Sequence, residues 1–246
     1  MSDPRILLVD AGNTRIKWAV RGAEGWAEAG AIPTADSASL ATAWRSKPRG
    51  TAIVCSNVAG DRVKADLETA ASAIGASLQI INSRASQLGV RNGYARPQQL
   101  GSDRWAALIA AHAAHASNQL VVNAGTALTV DALTATGEFR GGIIVPGPAL
   151  MRHSLDRNTA GLRLAEGALV DFPRATADAI TSGAIQAAVG AIERMAAALE
   201  RALGESRPRI VISGGGAAEI APHLPRGATV HDNLVLEGLS LIARDS

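Results

Sequence analysis

A six-residue phrase occurs twice in this chain. Val9-Asp10-Ala11-Gly12-Asn13-Thr14 is echoed by Val122-Asn123-Ala124-Gly125-Thr126-Ala127. Each copy ends an apolar run, makes a glycine turn and enters a second strand-like run, Ile16 to Val20 in the first case and Leu128 to Leu133 in the second. Each therefore reads as a β-hairpin. Each half then runs strands first and helices later, which predicts a duplicated α/β domain with a ligand cleft between the halves. We place the halves at residues 1–116 and 117–246.

The rest of the chain fills in that plan. Residues 51–58 and 78–82 read as buried strands, separated by a helical stretch over 60–74 with Val63, Leu67 and Ala71 on one face. Arg104 to His115 is alanine-rich and helical, and 141–145 adds a strand. Residues 176–203 form the longest predicted helix, Ile210 to Ser213 a strand before Gly214-Gly215-Gly216, and 234–243 a closing helix. The polar, proline-containing segment 34–50 is expected to be a surface connection.

Composition narrows the function classes. The chain is 47% hydrophobic and 19% charged, a globular balance, and its net charge is only +2 without a long Lys/Arg run. Nucleic acid is therefore not an expected partner. No apolar stretch is long enough to span a bilayer, and no membrane role is expected. The single cysteine, Cys55, and the absence of a signal peptide point to the cytoplasm.

Several residues could carry chemistry. A glycine turn lets backbone N–H groups approach phosphate oxygens, and Asn13 and Thr14 add side-chain donors. Asp10, at the strand end, could hold Mg²⁺ through water. An ordinary hairpin turn explains Gly12-Asn13-Thr14 equally well when it stands alone; the echo at 123–126 weighs against that. Ser102 or Asp103 would cap the helix that follows, or Asp103 would act as a general base toward a substrate hydroxyl, with Arg104 on a substrate carboxylate or phosphate. His112 and His115 lack further ligands for a metal site. No Walker A sequence, zinc spacing or serine nucleophile elbow is present.

Taken in order, Asp10-Ala-Gly-Asn-Thr14, Tyr94-Ala-Arg-Pro97, Leu100-Gly-Ser-Asp-Arg-Trp105, Asn123 to Ala127, Gly141 to Gly147, and Thr176 with Gly183 resemble the type III pantothenate kinases. That family belongs to the duplicated ribonuclease-H-like superfamily of acetate kinase, Hsp70 and actin, whose halves each carry a mixed sheet with flanking helices. The resemblance covers residues 6–240, and the Tyr94 to Trp105 stretch is its most specific part. It implies ATP-dependent phosphorylation of pantothenate to 4'-phosphopantothenate, the first step of coenzyme A biosynthesis.

The resemblance also implies roles for individual positions. Asp10, Ala11, Gly12, Asn13, Thr14, Arg15, Ile16 and Lys17 would bind ATP phosphates, with Thr126 contacting them from the other half. Asp103 would accept the pantothenate hydroxyl proton. Tyr94, Gly101, Ser102, Asp103, Arg104 and Thr176 would line the pantothenate pocket. A homodimer is implied, Thr176 reaching the neighbouring subunit's pocket, as are Mg²⁺ and a monovalent cation, K⁺ or NH₄⁺. Many members carry an acid at the position of Asn123; Asn keeps a carbonyl oxygen but not the charge, so a strong potassium requirement is not expected. Another kinase or phosphatase of the superfamily, or a non-enzymatic nucleotide-binding regulatory factor, is the alternative.

Overall fold

The structure, a computed structural model, describes residues 6–22, 25–159, 162, 166–204, 207–225 and 227–245. The chain forms two compact units. The first comprises Met1–Ala114 with Leu234–Ser246, the second His115–Asn233.

In the first unit, strands β1 (Ile6–Ala11), β2 (Arg15–Gly22), β3 (Gly25–Pro33), β4 (Ala52–Asn57) and β5 (Ser77–Ile80) lie in the order β3-β2-β1-β4-β5. β1, β2 and β3 make an antiparallel meander; β4 and β5 add in parallel. Helix α1 (Leu40–Ala43) precedes β4, and α2 (Asp61–Ala73) makes the parallel crossover from β4 to β5. A short hairpin, β6 (Ser86–Gln87) with β7 (Val90–Asn92), leads to helix α3 (Ser102–Ala114).

The second unit repeats the plan. Strands β8 (Gln119–Ala124), β9 (Ala127–Leu133) and β10 (Glu138–Pro146) form an antiparallel meander. Helices α4 (Pro148–Asn158) and α5 (Thr176–Leu203) follow. Then come β11 (Arg209–Ser213), α6 (Ala217–Ile220) and β12 (Thr229–His231), the two strands joining in parallel. The order β10-β9-β8-β11-β12 matches β3-β2-β1-β4-β5 strand for strand. The echoed phrase thus marks a duplication of topology: both copies end the central strand that joins the antiparallel side of a sheet to its parallel side.

Side-chain patterns explain these elements. In α5 the buried positions Ile185, Ala188, Ile192, Ala196 and Leu199 recur every three or four residues, the stripe that a helix lays on a sheet. Gly204 ends it in the left-handed conformation, φ 66°, with its N–H on the Glu200 carbonyl. The strand cores are mostly Leu, Ile, Val and Ala, among them Leu7, Val9 and Ile53 in the first unit and Leu120, Val122 and Ile212 in the second.

Two features depart from the sequence expectation. Segment 34–50 is more than a surface connection. It forms a 3₁₀ turn and α1, and it buries Leu40 and Trp44 completely. Trp44 meets Trp18 edge to face at 6.1 Å between ring centroids. Helix α7 (Leu234–Arg244), assigned by sequence to the second half, belongs to the first unit. Its apolar face, including Leu234, Leu239 and Ile242, packs on α3 and reaches β1. The α3 sequence supplies alanines for that close approach, and an Arg21–Glu237 ion pair adds a polar link. Among the described residues no helix is long and apolar enough to cross a membrane.

The α3–α7 contact has a testable consequence. A Cβ on Gly238 would collide with the Ala106 backbone, whereas one on Gly190 of α5 would meet nothing within 4 Å. Gly190→Ala should stabilise by up to about 1 kcal/mol, the ordinary helix gain. Gly238→Ala should instead cost about 1–3 kcal/mol, because helix backbones must separate. Thermal unfolding of the two variants checks the opposite signs.

Candidate active site

The first unit gathers most of the sequence-predicted residues at one end of its sheet. β1 delivers Asp10, whose register partners are Lys17 on β2 and Ser56 on β4. The turn that follows, residues 12–15, closes with Gly12 N–H on the Arg15 carbonyl at 3.1 Å. Thr34 fastens it from behind. Its hydroxyl donates to the Gly12 carbonyl at 2.7 Å and its N–H to the Thr14 carbonyl at 2.9 Å. Two carbonyls of the turn are therefore engaged by Thr34, while Asn13 and Thr14 themselves are exposed.

Helix α3 brings Asp103 to the same region. The Asp103 carboxylate accepts the Arg104 N–H at 2.8 Å; with α3 starting at Ser102, Asp103 stands inside the first helical turn rather than at the N-cap that the simpler sequence reading expected. Gly101 makes room for this: a Cβ there would lie 2.5 Å from Asp103 Oδ1. Ser102 turns inward, and its hydroxyl shares a hydrogen bond of 2.8 Å with Ser56. Arg104 is buried, donates to the Tyr94 hydroxyl at 3.0 Å and stands 5.7 Å from the centre of that ring. Asn92 braces the Tyr94 loop, accepting the Tyr94 N–H and donating to the Arg84 and Pro97 carbonyls.

The electrostatics of the two acids are linked. Burial, then the charge of Asp103, pushes the Asp10 carboxyl up to about 7, against the opposing pull of Lys17. Asp103 is also raised by burial, opposed by the Arg104 N–H, by the Arg104 charge and by its own backbone amide. An acid whose charge is disfavoured by burial and by a neighbouring acid suits a cation beside it. Cys55, on the strand next to Asp10, has its thiol raised by burial and remains a core residue.

The second unit holds the echoed turn. Its loop, 125–127, is one residue shorter than the 12–15 loop, since Ala124 pairs with Leu128 where Ala11 pairs with Ile16. Thr126 therefore takes the place of Asn13 and is exposed. Three glycines from two segments crowd this strand end. Gly147 N–H bonds the Thr126 carbonyl at 2.8 Å, and Gly216 N–H bonds the Ala124 carbonyl at 2.9 Å. Gly214, φ 99°, lies so close that a Cβ would be 2.7 Å from Asn123 Oδ1. Gly214 is thus fixed by close packing. Thr176 begins α5 and lines an apolar cavity of about 330 Å³ with Met151, Leu155, Leu162 and Ile180.

His112 and His115 gain no metal partners; among the described residues no three His, Cys, Asp or Glu side chains cluster for a metal. The braces Thr34, Ser56 and Asn92 were not legible in the sequence. The only local hint was the hydroxyl and amide residues flanking glycine turns.

Two units that repeat one strand order, each with its strand-end turn, define the class of duplicated ribonuclease-H-like proteins. Solved structures agree on the fold. MreB5 of Spiroplasma citri bound to ADP matches with TM-score 0.56 and 12% identity over 98% of this chain and 96% of that one. A protein described as a Baf family transcriptional activator from Campylobacter jejuni matches at 0.64 and 19%, covering 97% and 98%. The family model for type III pantothenate kinase matches residues 6–198. A type III pantothenate kinase of Aromatoleum aromaticum is 48% identical over 98% of both chains, and one of Nitrosospira multiformis is 46% identical over 99% of this chain and 93% of its own. The chain belongs to the type III pantothenate kinase family.

Proposed function

We propose that this protein transfers the γ-phosphoryl group of ATP to the primary hydroxyl of pantothenate, with Asp103 as general base. The observation that carries the assignment of the base is the placement of Asp103. It stands on a tethered helix start, close enough for its charge to act on Asp10, with Arg104 and Tyr94 joined beside it. Phosphoryl transfer needs positioning and charge neutralisation more than covalent chemistry.

Residues 10–17 bind the ATP phosphates, and Thr126 contributes to the same phosphates. The clasp of Thr34 on the first turn supports this by fixing the backbone that would face them. Tyr94 and residues 101–104 form the pantothenate pocket, which Thr176 of the neighbouring subunit completes, and the buried Arg104 guanidinium suits the substrate carboxylate. Mg²⁺ fits beside Asp10, whose raised carboxyl and acidic neighbour are what a cation would relieve; bound there, it would neutralise phosphate charge. A cytoplasmic homodimer is part of the reading. Supporting the dimer, Ile144 is 61% exposed and Phe172 89%, near Leu150, Leu155 and Val170 in sequence.

ADP release by the purified protein with Mg·ATP tests the proposal. Release should depend on pantothenate; ATP binding without pantothenate-dependent release would reject that acceptor. A potassium and ammonium series tests Asn123 in the same assay. With a carbonyl oxygen in place of an acid, the rate should respond shallowly, and a steep, saturable rise with potassium would contradict this.

A further inference from the structure

Asp103 sits at the start of a helix, and such an end frays unless it is fixed. Two serines outside the recognised motifs fix it here. Ser83, 3% exposed, donates its hydroxyl to the Leu100 carbonyl at 2.8 Å and lies 3.4 Å from the Gly101 carbonyl. The Gly101 carbonyl also accepts the Trp105 N–H, so Ser83 holds the acceptor that closes the first turn of α3. Ser56, fully buried, holds the Ser102 hydroxyl at 2.8 Å. Its strand position faces Asp10 in register. The residues immediately before Asp103 are thus tied at two places, once to the chain after β5 and once to the strand beside Asp10.

We propose that Ser56 and Ser83 are positioning residues for the transfer step, holding the 100–102 turn so that the Asp103 carboxylate meets the substrate hydroxyl. The inference rests on the reading of Asp103 as the base. Neither serine needs to touch substrate; each sets where the base stands. Misplacing a reacting group by about 1 Å can cost on the order of 10²-fold. A hydroxyl tether beside a backbone that is otherwise hydrogen-bonded should account for part of that.

The test measures kcat, both KM values and thermal unfolding for Ser56→Ala, Ser83→Ala, Ser83→Thr, Asp103→Asn and Thr51→Ala. Thr51 is the control: it is equally buried and its hydroxyl bonds the Pro48 carbonyl at 2.6 Å, at the opposite end of β4 from Ser56. Each serine-to-alanine variant should lose about tenfold in kcat while KM for Mg·ATP stays within about twofold. Ser83→Thr, which keeps the hydroxyl, should recover kcat. Thr51→Ala should lose stability alone. The proposal is overturned by unchanged kcat in both serine variants, by an equal kcat loss in Thr51→Ala, or by no recovery in Ser83→Thr. If Asp103→Asn itself keeps wild-type turnover, the base assignment fails; if only Asp103→Asn loses turnover, the base stands and the positioning role alone falls.

Discussion

Asp103→Asn should lower kcat by about 10²–10⁴-fold, the usual contribution of a positioned general base, while the protein folds normally. Asn keeps the shape and the carbonyl oxygen that accepts the Arg104 N–H, so this first-turn hydrogen bond survives. It cannot take the hydroxyl proton. Steady-state kinetics should show the loss in kcat and kcat/KM together, because the missing interaction belongs to the transition state. Circular dichroism and thermal unfolding would confirm the fold. The substitution has a second effect: removing the Asp103 charge takes away one of the two influences that raise Asp10, so Asp10 should titrate at lower pH in the variant.

Asp10→Asn should abolish most Mg·ATP-dependent turnover and yet make the free protein more stable at pH 8. Asp10 titrates near 7 in the folded chain and near 3.8 when unfolded. Between those values the folded state holds a proton that the unfolded state has lost, so the stability this group supports is full below about 4 and is lost as pH rises through about 7. Asn carries no such charge. The gain at pH 8 should be on the order of 4 kcal/mol, roughly 10 °C in Tm for a chain of this size. Unfolding curves of both proteins at pH 5 and pH 8 check it: the difference should already be present at pH 5 and grow more than twofold by pH 8. Equal curves at both values would show that Asp10 is not raised in the folded protein.

The sequence made the duplication legible because glycine turns between apolar runs are local signals, and both copies kept theirs. The predicted hairpins at 6–20 and 120–133 stand as β1–β2 and β8–β9. β3 escaped because Gly25–Pro33 is rich in Ala and Gly and mostly unburied, so it shows little alternation. Gly30 there leaves the space that the Trp18 indole fills, which only the fold reveals. Segment 34–50 misled through its polarity, although Leu40 and Trp44 are core residues. At the site, the motif residues were legible and their braces were not. Thr34 and Gly12 are 22 residues apart, Ser56 and Ser102 are 46 apart, and a serine hydroxyl gives no sign of so distant a partner.

The return of α7 to the first unit sets an order on synthesis. Residues 1–114 leave the ribosome early, yet the alanine-rich flank of α3 stays uncovered until residues 234–245 have been made. At about 5–20 residues per second, making the intervening 115–233 takes roughly 6–24 s. The second unit, continuous in the chain, can fold on its own schedule during that interval. The first must wait, holding Asp10 and Asp103 in a half-finished layer. Trimming the chain before Leu234 would therefore strike the helix that carries Asp103, though the cut lies more than a hundred residues away from it.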